Sequence, residues 1–530
     1  MSAAVDAIVI GAGTNGLAAA AALAKAGRRV LLLERSDAAG GDGRSAEFAP
    51  GFRAPPLAFD SGWLPPRVAV GLGLDGLALV EPETAVSVAT GPGELLSLSR
   101  DPGRAADAIR PHSARDAERW EPFTARLRNL AGFLEHLYQI PPTDIDSTSL
   151  GDILGLAGLA LKFRMLGRED MTELLRTIPM SIQELVDDWF ECEPLKAAVA
   201  AGGVQEIRQG PRSGGTAFVL LHHLVGAPRG SIRGRGFWRD GPDALTSAIE
   251  AQARGRGVTV RTRAEVTRIL VQDDAVTGVA LADGEEIAAP VVISTADPAR
   301  TLLGLVDPVW LDPEFLHSVR QIKFRGSHAT VLFALDGLPD KPGRANGAPP
   351  DALAGVVTLT PSLERLERAY DSAKYGMVSE RLHVEVTVPS LLWPTLAPAG
   401  KHVMVARAGY TPYRLRDGEI WNGARAEELE DKVTRAIGEI IPGLAERVLH
   451  RTVLTPKDME DRYGVTEGAV THGELTLDQI LFMRPVAGWG HYAMPIAGLY
   501  LGGAGAHPGP GVLGGPGWLA ARRVLADGKT

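Results

Sequence analysis

The chain has 530 residues, 45% of them hydrophobic and 22% charged, a globular balance with enough apolar sequence for roughly two to four domain-sized units. Its formal charge of −9, from 55 basic and 64 acidic residues, gives no general attraction to a nucleic acid backbone. The single cysteine, Cys192, excludes an intrachain disulfide and any zinc or iron–sulfur site built on several thiolates, and it fits a reducing, cytoplasmic compartment. No basic region precedes the first apolar run, so no signal peptide is expected. Gly and Pro interrupt every long uncharged run before it reaches the ~20 residues of a spanning helix.

Ala7-Ile8-Val9-Ile10 is a short apolar strand candidate, followed at once by Gly11-Ala12-Gly13-Thr14-Asn15-Gly16. Leu17 to Ala26 is rich in Ala and Leu and reads as a helix. Arg29 to Leu33 reads as a second buried strand closed by Glu34, with Arg35 next. This is the strand–turn–helix–strand order of a dinucleotide-binding unit. Gly11 permits the tight turn, Gly13 lets a pyrophosphate approach the backbone, and Gly16 lets helix and strand pack closely. The helix N-terminus offers unpaired N–H groups to phosphate, and Glu34 can accept hydrogen bonds from ribose hydroxyls. Gly71-Leu72-Gly73-Leu74-Asp75-Gly76 has the same spacing, but Pro82 follows too soon for a full helix, so a loop is expected there.

Trp120, Phe123, Leu127, Leu130, Phe133, Leu134 and Leu137 recur three and four apart and share one helix face. Ile153 to Leu166 is an apolar helix candidate with Lys162, Arg164 and Arg168 near its end. A core helix is the first expectation for it. A tunnel wall or a segment dipping into a membrane surface is the alternative. Ser181-Ile182-Gln183-Glu184 is a capping box opening a helix toward Phe190. Asp243 to Arg254 reads as a helix, Val258 to Val260 as a strand, and Val266–Val271 with Val276–Leu281 as a hairpin around Asp273-Asp274. Val291 to Ile293 is a buried strand. Ala329–Leu335, Leu382–Val388 and His402–Ala406 are strand-like. Gly498 to Gly503 reads as a strand and turn, Ala504 to Gly511 as a loop, and Val512 to Leu525 as a helix whose N-terminus faces that loop. No internal repeat is present.

These blocks carry a family resemblance. Gly40-Gly41, followed by Arg44, resembles the second cofactor segment of glutathione reductase-like FAD proteins. Together with Asp188-Trp189-Phe190, Val219–His223, Ile293-Ser294, Ala296-Asp297-Pro298, Gly473–Gln479, Arg484-Pro485 and the C-terminal glycine block, it resembles the phytoene desaturase (carotenoid oxidoreductase) superfamily, in particular its phytoene dehydrogenase-like group. The likeness spans nearly the whole chain and is weakest over about 305–455. Asp42-Gly43-Arg44 departs from the small or apolar residues of the pattern.

The resemblance implies an α/β fold. A glutathione reductase-like Rossmann FAD-binding domain is assembled from 1–85, 236–304 and 481–530. An α+β substrate domain, with a mixed sheet and helices, is assembled from 86–235 and 305–480. It implies non-covalent FAD held by Gly11, Gly13, Thr14, Asn15, Gly16, Glu34, Arg35, Gly40, Gly41, Arg44, Val266, Gly503, Ala504, Gly511 and Val512. His507, in the loop expected beside the flavin, is the catalytic candidate. Of His222-His223, taken as strand residues, at most one faces the pocket, so a metal pair is not expected. The implied activity is desaturation of a small apolar, carotenoid-like or lipid-like substrate by hydride transfer to flavin. Flavin amine oxidase, flavin-dependent cis–trans isomerase and non-enzymatic lipid-binding escort protein are the alternatives. The electron acceptor stays open among oxygen, a quinone and NAD. Peripheral membrane contact is a candidate interaction.

Overall fold

The computed structural model describes residues 5–57, 61–142, 150–228, 231–233, 236–339 and 352–528. Strand β1 (Ala7–Ile10), helix α1 (Thr14–Lys25) and strand β2 (Val30–Leu33) form the N-terminal unit. Both strands pair in parallel, Ile8 opposite Leu31. Strands from distant parts of the chain complete one five-stranded parallel sheet. Thr259–Arg261 pairs with β2, Val292–Ser294 pairs with β1, and Leu499–Leu501 pairs with Val292–Ser294. Ile8, Val9, Val292 and Ile293 are fully buried in this sheet, as continuous apolar strands of a parallel sheet must be. Val266–Gln272, Ala275–Leu281 and Glu286–Ala288 form a separate three-stranded sheet. Its first turn is Asp273-Asp274, both at positive φ, the conformation a two-residue hairpin loop requires.

A seven-stranded mixed sheet runs in the order 448–454, 328–335, 402–409, 383–387, 356–358, 84–91 and 94–99. One face packs on Leu429, Val433 and Ile437 of the helix Gly423–Ile440. The other belongs to a core with Trp120, Phe123, Leu127, Leu130 and Leu134 of the helix Ala114–Leu137. That helix is the one its three-and-four spacing predicts. Ser181 and Glu184 close both halves of their capping box at the start of Ile182–Trp189.

Three local expectations are corrected. His222-His223 stand on a helix, Thr216–Leu224, and not on a strand. Thr216 to Leu221 is buried throughout, and an apolar run with no polar face carries no period to tell the two apart. The C-terminal helix begins at Gly515 and not at Val512. Val512 is held extended because it bridges Trp63, and Gly514 caps the helix in the left-handed conformation. The apolar helix Leu150–Met165 is not a core helix. Phe163 and Leu166 pack partly on the core, but Leu161 and Met165 are exposed. The side chains of Ile153 and Leu154 lie outside the described residues. The second glycine triplet ends the helix Pro66–Leu72, with Gly73 as its left-handed cap.

Charge is buried in the seven-stranded sheet. Glu385 lies between Arg233, whose Nη2 donates to Oε2 at 2.9 Å, and Thr358, whose hydroxyl donates to Oε1 at 2.9 Å. Burial pushes the Glu385 carboxyl up, but Arg233, with His383 and Arg407, outweighs it and holds the pKa at about 2. Burial lowers His383 to about 4 and, with Arg407 adding to it, His328 to about 3. These imidazoles are neutral in the folded chain, whereas the unfolded chain takes up protons below the ordinary value of 6.5. The stability they contribute is whole above pH 6.5 and is lost as pH falls toward 4. Thermal midpoints measured from pH 7 to pH 5.5, above the range in which Glu385 titrates in either the folded or the unfolded chain, are expected to fall steadily. A flat profile in that window would contradict buried neutral histidines.

Candidate active site

A cleft of about 650 Å³ runs along the C-terminal edge of the parallel sheet. At its N-terminal end, α1 starts on Gly13 with no side-chain cap and no acidic residue in its first turn. Its first N–H groups are therefore available to an anion. The turn is closed by the glycines. Gly11 has φ +91°, and a Cβ on Gly16 would stand 1.8 Å from the Gly11 carbonyl oxygen. Gly40 bridges Gly13 and donates its N–H to the Ala12 carbonyl at 2.9 Å. Gly41, at φ +58°, would put a Cβ 2.9 Å from the Gly13 Cα. Gly16 and Gly40 thus shape the cleft from behind, whereas Gly11, Gly13, Thr14, Asn15 and Gly41 line it. Asn15 Oδ1 is buried without a hydrogen-bond partner.

Glu34 lines the same space, anchored by the Ala12 N–H at 2.8 Å to Oε2 and the Ser36 N–H at 2.9 Å to Oε1. These bonds fix the carboxylate and leave further acceptor capacity toward the cleft. Arg35 and Arg44 are also at the wall. Arg35 donates to the Asp461 carbonyl at 3.1 Å, and Arg44 faces Asp37 at 3.7 Å. Val266 lines the cleft at the start of its strand.

The C-terminal block meets this cradle. Trp63 donates its N–H to the Gly511 carbonyl at 2.9 Å, and Leu513 donates back to the Trp63 carbonyl at 2.8 Å. Ala504, Gly511, Val512 and Leu513 line the cleft. Gly503 does not; a Cβ there would meet the Thr295 carbonyl oxygen at 2.3 Å, so it serves close packing of neighbouring strand ends. The first turn of the C-terminal helix also lies behind the wall, against α1. A Cβ on Gly517 would stand 1.9 Å from the Asn15 carbonyl oxygen.

The structure does not bring His507 to the cleft. Its ring is buried, Nε2 donates to the Leu137 carbonyl at 3.2 Å, and its edge meets Tyr138 at 6.0 Å between centroids. Those two contacts draw the ring toward the helix Ala114–Leu137. Burial lowers its pKa to about 4, although backbone hydrogen bonds oppose this. Of the adjacent pair, His223 lines the cleft. His222 is buried and bridges the Pro510 carbonyl, 2.9 Å from Nε2, to the Tyr138 hydroxyl, 2.8 Å from Nδ1. Nε2 is the donor, because a carbonyl only accepts, and this ring positions the Gly509–Gly511 loop.

Several cleft residues carry no motif in the sequence. Phe237, Trp238 and Trp393 line the cleft, Phe237 and Trp393 edge to face at 5.4 Å. Glu206 and Arg407 form an ion pair there at 3.3 Å. Glu206 sits at φ +59°, uncommon for a residue with a side chain. Asp42 and His472 line the cleft. Asp42 is open to the cleft space but ringed by protein, which raises its carboxyl pKa against the opposing effect of His472. Behind them Arg484 is fully buried. It donates to the carbonyls of Ala504 at 2.9 Å, Gln479 at 3.1 Å, Gly473 at 3.0 Å and Thr471. Burial lowers this guanidinium to about 9. Cys192 caps the helix Glu193–Gly203 and does not line the cleft. Among the described residues no cluster of His, Cys, Asp and Glu is arranged to hold a metal ion.

The sequence matches the NAD(P)-binding Rossmann-like domain over residues 9–63 and the family described as flavin containing amine oxidoreductase over residues 100–524. It is 33% identical to pyridine nucleotide-disulfide oxidoreductase domain-containing protein 2 of Rattus norvegicus, over 99% of this chain and 94% of the relative. It is 27% identical to the neurosporene-forming phytoene desaturase of Rhodobacter capsulatus, over 98% of this chain and 93% of that one. The fold is that of an oxidoreductase from Methanosarcina mazei, with a TM-score of 0.59 at 19% identity, covering 98% of this chain and all of the other. The phytoene desaturase-like resemblance and the α/β Rossmann fold are thereby established.

The residues present fit FAD: an uncapped helix N-terminus and glycine cradle for the pyrophosphate, a fixed carboxylate for the ribose, and a cleft continuing past the C-terminal glycine loop. Gly41→Val forces a branched side chain into a left-handed position against Gly13. Purified variant protein is expected to lose at least tenfold in its 450 nm flavin absorbance relative to 280 nm, with an unchanged far-ultraviolet dichroism spectrum. Full flavin content in that variant would contradict the cradle.

Proposed function

The chain belongs to the flavin containing amine oxidoreductase family, and we propose that within it the protein is an FAD-dependent dehydrogenase that desaturates a small, predominantly apolar substrate. The observation that carries this reading is the aromatic part of the cleft wall, to which Phe237, Trp238 and Trp393 contribute along with Pro389 and Val405. Such walls bind hydrocarbon and exclude water. Bound FAD supplies the acceptor for a hydride from a C–H bond.

The protein's own part is placement. Rings on the cleft wall orient an apolar chain, and the dry wall keeps water from the reacting atoms. His223 is one of two imidazoles lining the cleft, with His472, and is the group assigned to hold the departing proton. His507, turned away onto Leu137 and Tyr138, supports the loop and takes no part in proton transfer. The relative named phytoene desaturase supports the same substrate class.

A second reading, amine oxidation, is favoured by one observation: the Glu206 carboxylate, paired with Arg407, lines the same cleft as the Phe237–Trp393 pair. A carboxylate beside aromatic faces suits an ammonium group. Anaerobic mixing of the FAD-loaded protein with a panel of terpenoid and polyene hydrocarbons and a panel of amines separates the two. Bleaching at 450 nm by a hydrocarbon, with a new double bond in the product and no response to amines, is the expected result. Bleaching by amines alone, with peroxide released on admitting air, would replace the first reading by the second.

A further inference from the structure

The strand His402–Gly409 carries charge into the apolar part of the cleft wall. Val405 and Arg407 stand two residues apart on it, so their side chains leave the same face of the sheet, and both line the cleft. In the next strand Thr387, also at the cleft, is opposite Val405, and Glu385 is opposite Arg407. Pro389 and Trp393 continue the wall beyond Thr387. The polar groups therefore adjoin the apolar wall and are not a separate site.

Two consecutive residues complete the group. Gln205 and Glu206 are half-buried and line the cleft. Glu206 is held at φ +59°, a strain of the kind that functional sites store. Arg233 Nη2 donates to Gln205 Oε1 at 3.0 Å. A guanidinium only donates, so the amide oxygen must face it and the amide N–H groups turn the other way. Among the described residues those N–H groups make no hydrogen bond. Glu206 meets Arg407 through Oε1 at 3.3 Å, and its Oε2 accepts no hydrogen bond among the described residues. The cleft is thus offered one unused donor and one unused acceptor, side by side. Charge around them is balanced: Arg233 pairs with Glu385 and Arg407 with Glu206, while His328 and His383 are neutral.

We propose that the substrate of this cleft is an apolar chain ending in a hydroxyl group, which donates to Glu206 and accepts from the Gln205 amide. Other end groups match less well. A carboxylate would face Glu206, and an ammonium would face Arg407. A carbonyl only accepts and would leave Glu206 without a donor. A hydrocarbon would cover both polar groups and satisfy neither. An anchored end also limits which C–H bonds of the chain can reach the reacting position. This inference rests on the apolar-substrate reading above and adds the polar end to it.

The test is binding to the FAD-loaded full chain, read from quenching of tryptophan emission, of four ligands with one carbon skeleton: farnesol, farnesene, farnesoic acid and farnesylamine. Farnesol is expected to bind at least tenfold more tightly than each of the other three. Q205L is expected to lower farnesol to the affinity of farnesene, with farnesene binding and flavin absorbance unchanged. E206Q removes the carboxylate that repels an acid and is expected to tighten farnesoic acid at least tenfold. Equal binding of farnesol and farnesene to the wild type, or a full preference for farnesol in Q205L, would overturn the hydroxyl anchor and leave the apolar reading standing. Tightest binding of the acid or the amine would overturn the anchor as well. Binding of none of the four would overturn both the anchor and the reading it rests on.

Discussion

The uncapped N-terminus of α1 is the constraint around which the rest of the molecule is arranged. A helix of twelve residues begins on a glycine with no side chain to satisfy its first N–H groups and no acid to offset its dipole. Left alone this start is a defect of about 1 kcal/mol relative to a good cap. It becomes useful when phosphate is the cap. Every close approach nearby protects access to it: Gly16 under the Gly11 carbonyl, Gly41 against Gly13, and Gly517 against the Asn15 carbonyl. The last contact ties the C-terminal helix to the N-terminal one. Both chain ends are needed to build one cofactor cleft.

The second half of the molecule answers a different demand. A cleft that excludes water must be walled by rigid elements, and the seven-stranded sheet supplies them. Its interior carries charge at a cost, and that cost is offset by complete pairing: Glu385 with Arg233 and Thr358, and Arg233 also with Gln205 at 3.0 Å. Gln205 and its neighbour Glu206 reach the cleft from one side and Arg407 from another. The buried network therefore also sets the position of polar groups on the cleft wall.

The parts of this design that a sequence displays are those made by contiguous residues. Gly11 to Glu34 is legible because turn, helix and ribose carboxylate follow each other within one unit. The Asp273-Asp274 turn is legible because only certain residues tolerate positive φ. Glu206, Arg407, Trp238 and Trp393 are not legible. They come from separate elements, and only the strand order of the large sheet and the pairing of Leu79–Val80 with Phe237–Trp238 bring them together. His507 was visible as a loop residue, but the carbonyl of Leu137, hundreds of residues away in the chain, decides which way its ring turns. Exposure of Leu161 and Met165 is equally hidden, because an apolar run looks alike whether or not protein covers it.

The central claim is that the two chain ends grip the adenosine diphosphate half of FAD, so that affinity resides there and not in the flavin ring. Titrating flavin-free protein with FAD and with FMN, which carries the same ring but no adenosine, tests this most directly. The account predicts that FAD binds at least ~100-fold more tightly, about 2.8 kcal/mol. Equal affinity for the two would contradict it.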